Sequence, residues 1–571
     1  MSHRARTFSS SLESLSVERR RRVLSRAVPL LVALAAASLG VGLIVGGVTD
    51  SGSERTAKRF VRAWEHEDYA TMYALVDTGT RGRASLGAFR AAYDRARSTA
   101  TATSFRAGKS QTHGDTIAFP MTVRTRVFGI VRTEIRIRVS NERVQWDRSL
   151  VFPGLRRGER LTRRTRAPAR AAIAARDGTV IAGGPATART QPLGPVSTSI
   201  AGTVGPPDTE PDRDSLRARG FPPGTPIGKS GLERIAERQV AGTPGGQLLA
   251  GSRALATTEP RAASAIRTTI DVGVQRAAVQ ALGGRFGGIA ALDARTGEVR
   301  ALAGIAFSAP QPPGSTFKII TATAALEQKL VKPSTPFPVE TKAVIEGVDL
   351  ANANGESCGG TFIQSFAKSC NSVFAPLGAK LGGAKLVAAA ERFGFNSPPA
   401  LPGAQPSTIP AASAIGGPLA VGSSAIGQGK VQATPLQMAS VAQTIASKGL
   451  RRPPTLIAGD APVPAIRVTP ARIARTVARL MIAVVQSGTG VAAAIPGVTV
   501  AGKTGTAELR DTTAPPLGST GATGSNTDAW FAAYAPAKKP KLAVGVLFVK
   551  AGAGGQTAAP AAKIVLTAGL K

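Results

Sequence analysis

The sequence predicts a multidomain α+β protein carrying one apolar helix near its N-terminus. Three observations carry this reading. Residues 27–48 form an uncharged, largely apolar run. Between residues 54 and 150 the apolar period changes from helical to alternating. From Thr268 onward the density of apolar runs rises and stays high. At 571 residues the chain exceeds a single core, and roughly three to four domains are expected.

Taken in order, residues 1–26 form a short tail holding Arg19 to Arg22 and Arg26. The run at 27–48 is long enough to cross a hydrocarbon core of about 30 Å. The basic residues ahead of it assign the tail to the cytosol and everything after Thr49 to the outside. A cleaved secretory signal is the alternative, but the run exceeds a usual signal core and no A-x-A site follows. The third segment, 51–160, opens with Ala57, Phe60, Val61 and Trp64 at helical spacing, continues through Met72 and Leu75, and predicts helix over 54–98. Alternation over Glu134–Val139 then predicts half-buried antiparallel strands between Asp115 and Leu150. An Arg-rich connector, Leu155–Arg170, leads into a Gly-, Pro- and Thr-rich stretch, 166–262, that reads as an elongated pedestal without a large core. The remainder, 265–571, is the largest domain. It offers an amphipathic helix start at Thr268, a strand-turn-strand over 287–304, and a helix opening at Ser315.

The formal net charge of +36 suits anionic surroundings, whether nucleic acid, an anionic membrane face or acidic wall polymers. Aromatic residues are only 5% of the chain and the arginines are dispersed, which argues against nucleic acid as a partner. Cys358 and Cys370 are the only cysteines; an oxidising compartment permits a bridge between them, and their spacing does not decide it. With three histidines besides, a structural metal site is not expected.

The chemistry centres on PPGSTFKIITATAA, residues 312–325, where Ser315 and Lys318 lie three apart on one helical face. No Asp or Glu occurs from Val299 to Leu326, so no local carboxylate holds Lys318 charged. A serine nucleophile needs a proton acceptor. The histidines are His3, His66 and His113, none of them in the C-terminal domain, which excludes a Ser-His-Asp triad there. A lysine base working near neutrality needs its pKa lowered by roughly three units, about 4 kcal/mol. Apolar burial and a second cation both act in that direction. Lys503, in VAGKTGTAEL, supplies a candidate cation on an expected strand.

Ser315-x-x-Lys318, Ser369-Cys370-Asn371 and Lys503-Thr504-Gly505, in that order, resemble the active-site triplet of penicillin-binding proteins and serine β-lactamases. The middle motif, SCN, resembles the transpeptidase branch, as do ALDARTGEV, AIGQGKVQATPLQMA and DAWFAAYAP around it. The segment holding Ala57, Phe60, Ala63, Trp64, Asp68, Tyr69, Met72 and Tyr73 is similar to the NTF2-like domain that precedes some cell-wall transpeptidases. Singly, each motif residue has an ordinary explanation: Ser315 a helix cap, Lys318 a surface lysine, Asn371 a turn residue, Lys503 a strand-edge cation. The ordered set does not. Ser365-x-x-Lys368 and Lys229-Ser230-Gly231 are isolated matches in the wrong order or spacing, and GTPIGKS from Gly224 is one residue short of a phosphate-binding loop.

The resemblance implies a class B penicillin-binding protein, a membrane D,D-transpeptidase with no cofactor and no metal. Ser315 would be the acylated nucleophile, Lys318 its base, Ser369 the proton relay, Asn371 the holder of the substrate amide, and Lys503 the source of positive potential. Thr504 and Thr506 would bind the substrate carboxylate beside Gly505, with the Ser315 and Thr506 N–H groups as oxyanion hole. Implied partners are peptidoglycan stem peptides, β-lactams as covalent inhibitors, a separate glycosyltransferase and other cell-wall proteins. A D,D-carboxypeptidase and a β-lactam sensor share the triplet. The short stretch at 305–311, between the strand pair and PPGS, departs from related transpeptidases, which often carry a longer insertion there.

Overall fold

The structure is a computed structural model, and it describes residues 50–459, 463–509 and 526–571. The expected membrane segment at 27–48 lies outside the described residues. Among those described, no single helix is long and apolar enough to cross a membrane. The chain divides into two compact units: residues up to Arg164 with Gly246–Thr258, and Thr165–Gly245 with Glu259–Lys571.

In the first unit, helices Gly52–Glu65, Tyr69–Leu75, Thr78–Arg83 and Leu86–Ala100 precede an antiparallel sheet. Their starts follow from side-chain caps: Ser51 accepts from the Glu54 N–H, Asp68 from Thr71, and Asp77 from Thr80. Ala57, Phe60, Trp64 and Met72 are buried, as helical spacing requires. Strand Ile130–Ser140 buries Val131, Ile135, Ile137 and Val139 while Arg132, Arg136 and Arg138 face outward. One difference from expectation is the hairpin Gly245–Ala250/Arg253–Thr258, which the composition assigns to the pedestal. It pairs with Leu161–Arg166, and Leu248 buries fully in the core of this first unit.

The second unit is built on a five-stranded antiparallel sheet. Its strands run in the order Val299–Gly304, Gly287–Asp293, Leu542–Phe548, Thr527–Ala535, Ala501–Glu508. The period of two divides its apolar residues. Phe531, Val544 and Val546 bury against helices Val272–Leu282 and Gly554–Ala568, whereas Trp530 and Leu547 join the core of helices Lys318–Glu327, Asn371–Leu381 and Ala471–Ser487. The stretch read as a coreless pedestal packs into this unit. Ile173, Ile181, Leu232 and Val240 share a core with Leu292, Val299 and Leu302 of the sheet. Beside them Arg170 and Arg189 both bind the fully buried Glu233, and Arg170 also binds Glu237.

Candidate active site

Two prolines and a glycine set the first turn of the candidate nucleophile. Gly314 has φ +50°, and a Cβ there would stand 2.8 Å from the Thr506 carbonyl oxygen, so the position requires glycine. The turn Gly314–Phe317 is 3-10, tighter than the expected α-helix, and passes into the α-helix Lys318–Glu327. In a 3-10 turn residues i and i+3 eclipse, which stacks Ser315 and Lys318 on one side. Among the described residues neither the Ser315 hydroxyl nor its N–H makes a hydrogen bond, which leaves both open to a ligand.

Lys318 is fully buried. Its Nζ donates to the Ser369 carbonyl at 2.7 Å and to Asn371 Oδ1 at 2.7 Å, and stands 3.4 Å from Ser369 Oγ. Both strong contacts are to acceptors. A neutral amine has two N–H donors, so this arrangement uses both and leaves its lone pair unengaged. Ser369 ends helix Phe362–Lys368 in the left-handed conformation, φ +66°, an uncommon state for a residue with a side chain. That turn aims its carbonyl and its hydroxyl at the lysines. Cys370, the next residue, is disulfide-bonded to Cys358 with Cα atoms 5.4 Å apart, tying the turn to strand Cys358–Thr361.

Strand Ala501–Glu508 supplies the second cation. Lys503 is fully buried, and its Nζ donates to Ser369 Oγ at 2.8 Å and to the Thr504 carbonyl at 3.1 Å. Gly505 brings the strand against the nucleophile turn, since a Cβ there would meet the Pro313 carbonyl at 2.8 Å. Ser369 Oγ thus lies between the two lysine nitrogens.

No carboxylate pairs with either lysine among the described residues. Burial pulls the Lys318 pKa well below its ordinary value, and the charge of Lys503 adds to the effect. Burial brings Lys503 down to about 7. The rings of Phe374 and Phe366, 5.5 and 5.6 Å from the two nitrogens, offset only part of this cost. The arrangement can therefore keep an amine unprotonated next to a free hydroxyl.

Ser315, Lys318, Ser369, Asn371, Lys503, Gly505 and Thr506 are thus gathered where three segments meet. Two details differ from expectation. Both ends of the Asn371 amide are engaged by protein, Oδ1 by Lys318 and Nδ2 by the Ala351 carbonyl at 2.7 Å, so in this state it positions the lysine. Thr504 is buried, and its hydroxyl faces Thr489 Oγ1 at 2.5 Å, leaving Thr506 as the more open of the two. Thr489 escaped the sequence reading. Its N–H donates to the Ala367 carbonyl at 3.1 Å, so it joins the Ser369 turn to the Lys503 strand. The signal was the pair of glycines around it: a Cβ on Gly488 would stand 2.3 Å from the Ala367 carbonyl oxygen. The isolated matches are elsewhere. Ser365 is buried with an unpaired hydroxyl while Lys368 is exposed, and Lys229 pairs with Asp208.

Residues 52–159 match the family of NTF2-like N-terminal transpeptidase domains, and residues 287–567 the penicillin binding protein transpeptidase domain. The peptidoglycan D,D-transpeptidase PbpA of Mycolicibacterium smegmatis is 37% identical over 300 residues, covering 47% of this chain and 56% of its own length. The chain thus spans about half the length of the curated relatives it matches. Penicillin-binding protein A of M. tuberculosis, solved as its penicillin G acyl-enzyme complex, superposes with a TM-score of 0.56 at 26% identity, covering 71% of this chain and 100% of that one. Pseudomonas aeruginosa PBP2, in complex with WCK 5153, superposes with a TM-score of 0.60 at 26% identity, covering 72% and 96%. With both of its units matched in this way and solved penicillin-binding proteins superposing on it, the chain belongs to the class B penicillin-binding proteins and carries an NTF2-like N-terminal domain.

Proposed function

We propose that this chain is a membrane-anchored D,D-transpeptidase that cross-links peptidoglycan stem peptides through an acyl-enzyme on Ser315, and that β-lactams acylate the same serine. The observation that carries this reading is the buried amine of Lys318, its two short contacts both spent on acceptors, one turn from an unengaged hydroxyl.

In the reading, Lys318 takes the Ser315 proton as Oγ attacks the scissile carbonyl of the donor peptide. The N–H groups of Ser315 and Thr506 receive the developing oxyanion; the contact of Gly314 with the Thr506 carbonyl supports this by bringing the two backbones together. Ser369, between both lysines, passes a proton to the departing amine. Lys503 and Thr506 hold the terminal carboxylate, and Thr504 acts through its contact with Thr489 rather than on the substrate. An acceptor amine then takes the acyl group. The uncharged run at 27–48 and the arginines before it support an extracytoplasmic catalytic unit, whose glycan strands come from a separate glycosyltransferase.

The test is covalent labelling by a fluorescent penicillin followed by peptide mass analysis. Ser315→Ala is expected to abolish the adduct, and Ser365→Ala to retain it. With a donor thioester and an acceptor amine, cross-linked product is expected to exceed hydrolysed donor. An adduct persisting in Ser315→Ala places the nucleophile elsewhere, and hydrolysis alone replaces the transpeptidase with a carboxypeptidase.

A further inference from the structure

Apart from the cleft, the second unit holds a cavity of about 210 Å³. Its walls come from the segment after helix Gly383–Arg392, the first two turns of helix Pro435–Ala446, and strand Leu450–Arg451. Residues 427–434 separate it from the nucleophile: Gly427 accepts from the Gly314 N–H on one side, Ala433 pairs with Gln311, and the Thr434 N–H donates to Ser407 Oγ in the cavity wall at 3.1 Å.

Arg451 sets this cavity apart. Partly buried on its wall, the guanidinium makes no hydrogen bond or ion pair among the described residues, and its Nε is out of contact with solvent without a partner. The more deeply buried arginines of this unit behave otherwise. Arg170 and Arg189 bind Glu233, and Arg300 binds Asp293 and Glu298. A desolvated Nε–H without an acceptor is costly, and that cost is recovered when an anion takes it up together with the outer nitrogens of the fork. Burial alone pulls its pKa down, with no carboxylate acting against the shift.

The surroundings suit a small anion. Among the described residues no Asp or Glu lines the cavity. Ser440 and Ser407 line it, and Ser407, already accepting from Thr434, has its O–H left to donate. Gly394, at φ +105°, has no side chain to intrude; a Cβ there would stand 2.8 Å from Arg451 Nη1. Prolines 453 and 454 stiffen its lining. We propose that this cavity binds a small oxyanion, a carboxylate or a phosphate, held by the Arg451 fork and the hydroxyls of Ser440 and Ser407.

The full chain in detergent micelles is titrated with inorganic phosphate, acetate and N-acetyl-D-alanine at constant ionic strength, with chloride as the balancing ion, and thermal unfolding is followed. A saturable rise in Tm is expected for at least one anion, weakened about tenfold or more in Arg451→Gln and in Ser440→Val, which fills the cavity. Response to phosphate alone assigns a tetrahedral ligand; response to acetate or the acylated amino acid assigns a carboxylate. Arg452→Gln, whose Nε is also unpaired but which does not line the cavity, is expected to respond as wild type. Without added anion, Arg451→Gln is expected to melt no lower than wild type, because it removes an unpaired charge. An unsaturable rise, an equal rise in Arg451→Gln, or no rise with any of the three overturns the site in favour of a general salt effect or a hydrated cavity. A lower anion-free Tm in Arg451→Gln, or failure of that variant to fold, assigns the arginine a structural role and overturns it equally.

Discussion

At the scale of residues, the site depends on two buried lysines that share one serine hydroxyl and, among the described residues, have no carboxylate partner. Because Lys318 must be neutral to accept a proton, acylation should rise with pH through its folded pKa. Lys503→Gln removes the repulsion that helps hold that pKa down, so the acid limb is expected to move to higher pH. A neutral thioester donor, which lacks the terminal carboxylate, separates this shift from lost substrate binding. An unmoved limb would leave burial as the only cause of the depressed pKa. Lys318→Arg conserves charge but stays protonated, and is expected to lose at least 100-fold in acylation, roughly the lower bound for a general base. The same pair makes stability depend on pH. Lys503 has a folded pKa of about 7 and an unfolded value of about 10.4, so between these limits the unfolded chain binds the extra proton and stability rises with pH. Chemical unfolding of Lys503→Met between pH 7 and 10 should show a shallower rise than wild type.

At the scale of elements, the site depends on how closely separate segments approach. The Cys358–Cys370 bridge closes a loop of sequence separation 12 and fixes the residue between Ser369 and Asn371. Replacing both cysteines by alanine is expected to cost about 3 kcal/mol from loop-closure entropy alone. Acylation should slow as well, because the turn that presents Ser369 to both lysines is released. Equal acylation in the double variant would show that helix Phe362–Lys368 and its cap suffice to set the turn. Gly488 makes the opposite kind of contribution, by permitting approach. Its replacement by alanine pushes a methyl group into the Ala367 carbonyl and separates Thr489 from the Ser369 turn. Gly488→Ala is expected to destabilise by about 1–3 kcal/mol, read as a lower Tm, and to slow penicillin acylation. Thr489→Val should slow acylation with a smaller change in Tm, since it removes only the hydroxyl's contacts with Thr504 and with the Ala367 carbonyl and keeps the backbone bond to Ala367.

At the scale of the whole molecule, what was legible in the sequence is what is local. Caps and helical spacing gave the first helices, alternation gave strand Ile130–Ser140, and three short linear motifs gave Ser315, Lys318, Ser369 and Lys503. What was missed depends on tertiary approach. Thr489 acquires its place only by meeting Ala367, 122 positions away in sequence. The disulfide requires two α-carbons to stand 5.4 Å apart, a distance no spacing encodes. The hairpin at 245–258 returns to the first unit by strand pairing, and the stretch before it borrows its core from the sheet. The charge of +36 is a whole-molecule property too, and most of it follows residue 49. On the proposed topology that charge faces the anionic wall, and the arginines at 19–22 and 26 decide the outcome. A reporter fused after Lys571 that is active only outside the cytosol is therefore expected to be active, and protease added to intact spheroplasts should digest the second unit. Changing Arg19 to Arg22 to glutamate removes the local positive excess and should lower the externally active fraction without altering total protein. Protection of the second unit in the unaltered chain would reverse the orientation and separate Ser315 from any extracytoplasmic substrate.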